Sequence, residues 1–229
     1  MIKIAILSCM LALSTSLLAS PLPRETKIIQ ASKSKSMHEK KYTTLIFDLG
    51  GVIVDEKQIG PAADKLYPGS NAATIMTTIY RQKHWGDFDR GVYDIPTFAQ
   101  LVEREYGFNP ATTTLLLKDI VSSIPLLSYG IEILQTAKKQ GYKVYALSNA
   151  YHGIFEAFVQ KHEVFKLFDG AIISCNVGHI KPEAEIYNAL LNQYNINPDE
   201  ALFIDDLETN IVGATAVGID GIVCRDPKE

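Results

Sequence analysis

Asp48 closes the apolar run Thr44-Leu45-Ile46-Phe47, and Asp205-Asp206 close a second such run that begins at Ala201. A carboxylate at the end of a buried strand costs several kcal/mol unless it is paired, hydrogen-bonded or bound to a metal. If those two strands are neighbours, three carboxylates gather around one hard cation. Mg2+ suits such a site, because it takes oxygen ligands, keeps waters, and is usually held by one or two carboxylates together with substrate phosphate. The competing reading is that each acid caps the helix that follows it. Two further segments sit in comparable places: Ser148-Asn149 after another apolar run, and Lys181-Pro182 at the head of a helical pattern.

The elements that must position these residues follow from hydrophobic periodicity. Short apolar runs at 44–47, 143–147, 171–174, 201–204 and 221–224 read as buried strands. Helical patterns at 131–140, 154–162, 182–194 and 208–217 separate them, with Gly141 and Gly218 as stops and Pro182 suited to a first turn. Strand and helix in alternation predict a parallel α/β sheet covered on both faces. Residues 57–129 break the alternation and are helical throughout, with helices at 71–81, 96–106 and 110–122 opened by capping or proline residues. Loops at the carboxyl ends of parallel strands build the site, so this insertion reads as a helical cap on a core formed by 42–56 and 130–229.

Taken in order, Asp48-Leu49-Gly50-Gly51-Val52, Ser148-Asn149, Lys181-Pro182 and Asp205-Asp206 with Asn210 resemble the four motifs of the haloacid dehalogenase superfamily, over residues 42–225. The resemblance implies a Rossmann-like doubly wound parallel sheet with an inserted all-helical cap, and a phosphatase working through an aspartyl-phosphate. It makes Asp48 the nucleophile and sets Lys181 and Ser148 on the oxygens of the transferring group. Backbone N–H groups of Gly50, Gly51 and Asn149 would cradle the same oxygens. The Mg2+ ligands it implies are Asp48, the Gly50 carbonyl and Asp206, with Asp205 ligating or orienting.

One position departs from that pattern. Most phosphatases of the superfamily carry a second aspartate two residues after the nucleophile as general acid and base, and here that residue is Gly50. Such a group contributes about 10²–10⁴-fold, so its loss favours leaving groups that depart easily. The sugar-1-phosphate phosphatase branch similarly shows Asp-Leu-Gly, and the run from Trp85 to Gly91 followed by Phe98 resembles that branch, which implies a sugar phosphate as substrate. Asp87, Asp89 and His152 are the substitute proton donors expected from sequence. Two other readings compete: a 2-haloacid dehalogenase, with the same nucleophile but no metal, and a non-catalytic protein that binds a phosphorylated ligand through Lys181 and Ser148.

Composition bounds the rest. The 229 residues suit a core with an insertion, and 47% hydrophobic with 21% charged residues is ordinary for a globular chain. A net charge of -4 and a pI near 5.8 supply no basic face for a nucleic-acid backbone, so the expected partner is a small molecule. Residues 1–20, with Lys3 before an apolar stretch, read as an export signal, against an uncleaved anchor or a true start at Met37; 21–41 read as a solvated linker. Export would place the protein in the periplasm or outside the cell, and a start at Met37 in the cytoplasm. With Cys9 in the signal, Cys175 follows the third strand and Cys224 ends the fifth, at opposite sheet edges, as buried thiols rather than a disulfide.

Overall fold

The computed structural model describes residues 42–225. The export signal, the linker, Met37 and Cys9 lie outside the described residues, as do the last four residues of the expected core. Strands β1 (Thr44–Phe47), β2 (Lys143–Ser148), β3 (Gly170–Ile173), β4 (Ala201–Asp205) and β5 (Asp220–Val223) form one parallel sheet in the order β3-β2-β1-β4-β5. The chain winds outward from β1 through β2 to β3, then crosses back to β4 and β5. The topological switch therefore falls between β1 and β4, where ligands of open α/β sheets bind at the carboxyl ends.

The insertion is helical, as expected, and contains α1 (Ile59–Leu66), α2 (Ala72–Tyr80), α3 (Trp85–Asp89), α4 (Ile95–Tyr106) and α5 (Pro110–Asp119). Its later helices carry clear start signals. Asp94 caps α4 by accepting from the Thr97 N–H at 2.8 Å, and Asn109 caps α5 through the N–H groups of Ala111 and Thr112. Both have proline in the first turn, where its missing N–H costs nothing. Helices α1 and α3 fall outside the three expected spans, and neither has a side-chain cap to announce its start.

The sheet is covered by α6 (Ser128–Lys139), α7 (Ile154–Lys161), the short α8 (Ser174–Val177), α9 (Ala184–Tyr194) and α10 (Glu208–Ala216). Ile46, Tyr145, Leu147, Ile172 and Phe203 point to one face and pack with Ile186, Tyr187 and Leu190 of α9 and Ala214 of α10. Their alternates Leu45, Phe47, Val144, Ala146, Leu202 and Ile204 are buried as well, and Phe47 meets Phe168 edge-on at 6.2 Å. Burial of both alternating sets is why these strands read as continuous apolar runs. Two expectations shift. Helix α9 starts at Ala184 rather than Pro182, because Glu183 is extended and holds the Ile180 N–H at 3.1 Å and Arg90 at 2.7 Å. Helix α6 starts three residues earlier than its apolar period suggests. Cys175 and Cys224 follow the outer strands β3 and β5, and no disulfide joins them. Among the described residues no helix is long and apolar enough to cross a membrane.

Candidate active site

The register of β1 on β4 pairs Phe47 with Ile204, so the next residues, Asp48 and Asp205, come level at the switch point. The Asp48 N–H closes the ladder on the Ile204 carbonyl at 2.9 Å. Lys181 reaches in from the segment before α9 and is 4% exposed. Its Nζ lies 2.7 Å from Asp48 Oδ1 and donates to Asp205 Oδ2 at 2.7 Å. Burial alone would lower Lys181, but Asp48 and Asp205 outweigh it and raise it, so the ammonium keeps its charge. Asp205 is fully buried and saturated: Asn210 donates to both its oxygens at 3.0 Å, and the Leu207 N–H to Oδ1 at 2.8 Å. Asp48 Oδ1 also accepts from the Leu49 N–H at 2.7 Å, which fixes the plane of the carboxylate.

Burial pushes Asp48 well above the usual carboxylate range; Lys181 pulls it down and Asp205 pushes it up again. Asp206, the most exposed of the three acids, is raised by burial and by Asp205. Carboxylate oxygens of Asp48, Asp205 and Asp206 all lie within 4.8 Å of one another. One ammonium does not neutralise three carboxylates, and an oxygen-only donor set with excess negative charge fits a hard divalent cation.

Ser148 ends β2, is buried, and lines the same cavity as Asp48 and Lys181. Asn149 spends its side chain on the Lys181 backbone, accepting from the Lys181 N–H at 2.7 Å and donating to the Lys181 carbonyl at 3.1 Å. Gly50 also lines the cavity, but Gly51 does not. The Gly51 N–H donates to the Val54 carbonyl at 2.9 Å, which corrects the expectation that it cradles substrate oxygens. Its glycine is needed for another reason: φ is +64°, and a Cβ would fall 2.4 Å from Asp206 Oδ2.

A cavity residue that the sequence reading did not single out is Glu56. A Cβ built on Gly50 would fall 2.1 Å from Glu56 Oε1, so the Glu56 carboxyl occupies the space into which a side chain at residue 50 would extend. The Tyr80 hydroxyl donates to Glu56 Oε2 at 2.5 Å, leaving Oε1 on the Gly50 side. Burial raises Glu56 above its ordinary value; Tyr80 draws it back and Asp206 raises it again. No local pattern marks Glu56, because its approach depends on the path of the turn after β1. Of the substitute donors expected, Asp89 lines the cavity, is raised by burial, and takes a hydrogen bond from Trp85. Asp87 and His152 are not on the cavity wall, and His152 is exposed.

A parallel α/β sheet with a buried carboxylate–ammonium–carboxylate chain at its switch point, beneath a helical insertion, defines a hydrolase of the aspartate-centred class. The chain belongs to the haloacid dehalogenase-like hydrolases, whose family model matches residues 42–218. A sesquiterpene phosphatase of Aspergillus oryzae is 25% identical over 81% of this chain and 91% of its own length. A chloroplast flavin mononucleotide hydrolase of Arabidopsis thaliana is 24% identical over 84% of this chain and 76% of its own. Among solved structures, a family enzyme of Bacteroides thetaiotaomicron in complex with magnesium and inorganic phosphate superposes with a TM-score of 0.61 at 22% identity, covering 82% of this chain and 96% of that one. At that identity the likeness shows the fold.

Proposed function

We propose that this chain is a magnesium-dependent phosphatase of small phosphate monoesters, with Asp48 as nucleophile and residues 57–129 as a cap over the site. The observation that carries this reading is the Asp48–Lys181–Asp205 chain, 2.7 Å on each side of the ammonium, with Asp206 beside it. One relative named a sesquiterpene phosphatase and another named a flavin mononucleotide hydrolase support a phosphate ester as substrate. Asp48, Asp206 and the Gly50 carbonyl would hold Mg2+, with Asp205 orienting, because its oxygens already accept from Lys181, Asn210 and Leu207. When bound, the ion supplies positive charge to the phosphate oxygens and favours the ionised form of its carboxylate ligands.

The chain's own residues then divide the work. An Asp48 oxygen attacks phosphorus as the ester oxygen leaves, while Lys181 and Ser148 hold the remaining phosphate oxygens. Asn149 fixes the backbone of Lys181. Glu56 gives its proton to the departing alcohol, then takes one from the water that attacks the aspartyl-phosphate, freeing inorganic phosphate and restoring the Asp48 carboxylate. The position of Glu56 against Gly50 supports this role. A carboxyl there also weakens the sequence argument for a sugar 1-phosphate, which rested on a leaving group that needs no acid.

The test is phosphate release from a panel of esters, including sugar 1-phosphates and p-nitrophenyl phosphate, with Mg2+ or chelator. Release in Mg2+ that stops on chelation and falls by at least about a thousandfold in Asp48→Asn is the expected result. Halide release from 2-haloacids that persists in chelator, with no phosphate release, would instead make the chain a dehalogenase.

A further inference from the structure

The cavity over Asp48 is about 450 Å³, within the range that encloses a whole small ligand. Asp48, Ser148, Lys181 and Asp206 give it a charged floor, and Glu56 and Asp89 also line it. The greater part of the wall is apolar, and Ile59, Met76, Ile124, Ile154 and Phe158 contribute to it. The aromatic polar tips on the wall are already engaged, while the Asp89 carboxyl also lines it. The Tyr80 hydroxyl goes to Glu56, the Tyr151 hydroxyl to the Leu117 carbonyl at 2.7 Å, and the Trp85 side chain to Asp89. Leu207, which also lines the cavity, is 53% exposed, one of the few large apolar side chains so exposed among the described residues.

From this distribution we infer that the substrate is the monophosphate of an apolar alcohol, its phosphate on Asp48 and its hydrocarbon chain along the wall from Ile59 to Phe158. The inference rests on the phosphatase reading above. A hydrocarbon chain entering this space leaves water for an apolar surface. A hexose would surrender its hydroxyl hydration to a wall whose tyrosine and tryptophan donors are spent, and unmet hydrogen bonds make a site reject the polar ligand. Leu207 at the rim then extends the apolar surface toward solvent.

The experiment measures kcat/KM in Mg2+ for linear alkyl monophosphates of increasing length, kept below micelle-forming concentrations, beside glucose 1-phosphate, glucose 6-phosphate and p-nitrophenyl phosphate. The expected result is a rise of up to about fourfold per methylene until the cavity is filled, with both glucose phosphates at least about tenfold below hexyl phosphate. Ile154→Asn and Ile59→Asn, at two half-buried wall positions, should each flatten the dependence on length. Glucose phosphates turned over as well as hexyl phosphate, or a rate independent of length, would overturn the inference. So would an unchanged slope in both variants. If p-nitrophenyl phosphate is hydrolysed and Asp48→Asn abolishes it, such a failure touches the substrate class alone; if no ester is hydrolysed, the phosphatase reading falls with it.

Discussion

Lys181 is the single ammonium on a cavity wall that also carries Asp48, Glu56, Asp89 and Asp206. Its two contacts at 2.7 Å go to Asp48 and Asp205, and its pull on Glu56 is outweighed by burial. A carboxyl so placed keeps its proton to higher pH than an exposed glutamate, as the burial-driven rise of Glu56 indicates. That is the property of a general acid, and it makes the role testable by leaving group. Glu56→Gln keeps the size and removes the titration. Turnover of an alkyl phosphate should fall by about 10²–10⁴-fold, while p-nitrophenyl phosphate, whose phenolate needs no proton, should lose far less. The wild-type rate on the alkyl ester should decline as pH rises through the Glu56 pKa, because the proton donor is then lost. In the variant that alkaline decline should disappear. Equal losses on both esters, with the decline retained, would assign the acid elsewhere, and Asp89 would be the next group to change.

At the scale of elements, the turn after β1 is held by the start of α6. Leu127 N–H donates to the Ile53 carbonyl at 2.8 Å, Asp55 N–H to the Pro125 carbonyl at 2.9 Å, and the Tyr129 hydroxyl to the Gly51 carbonyl at 2.8 Å. The approach is close enough that a Cβ on Gly130 would fall 1.8 Å from the Val52 carbonyl oxygen. Gly130→Ala should therefore destabilise the fold by about 1–3 kcal/mol, read as a lower urea midpoint, and should slow turnover by shifting Glu56. Gly86→Ala is the control. Its Cβ would meet only Ile180 Cδ1, at 3.7 Å, within helix α3, so it should be neutral or gain up to about 1 kcal/mol. The same staple explains what was legible in the sequence. Asp48, Asp205 and Lys181 could be read because acids at the ends of apolar strands and a lysine before Pro182 are local patterns with a physical cost behind them. Glu56 could not, since its carboxyl reaches Gly50 only through the path that α6 imposes on the turn. The clamp of Asn149 on Lys181 was hidden for the same reason: it joins residues far apart in sequence through side-chain geometry. Residues 57–129 could be read as helical from their caps, but α1 could not, because a proline in a first turn and a proline that breaks a helix look alike without the fold.

For the molecule as a whole, the acidic cluster links cation binding to stability. Asp48 and Asp206 are both raised by burial, so each binds protons more tightly when folded than when unfolded. A group of that kind favours the folded state below its unfolded pKa, and the contribution is lost as pH rises through its folded pKa. Without a divalent cation, these two residues therefore make the fold less stable toward neutral pH. Mg2+ binding should offset the loss where the carboxylates are ionised, and should compete with protons where they are not. At a hundredfold excess over its dissociation constant a ligand adds about 2.7 kcal/mol, which for a chain of this size is a rise in Tm of several degrees. The gap between melting curves in Mg2+ and in chelator should accordingly be small near about pH 5 and widen toward about pH 8. Asp206→Asn should raise the chelator-treated Tm at neutral pH, because it removes one of the crowded charges, and should close most of the gap. A Mg2+-dependent shift that is equally large in Asp206→Asn, or absent at every pH in the wild type, would mean that the carboxylates of β1 and β4 do not hold the ion.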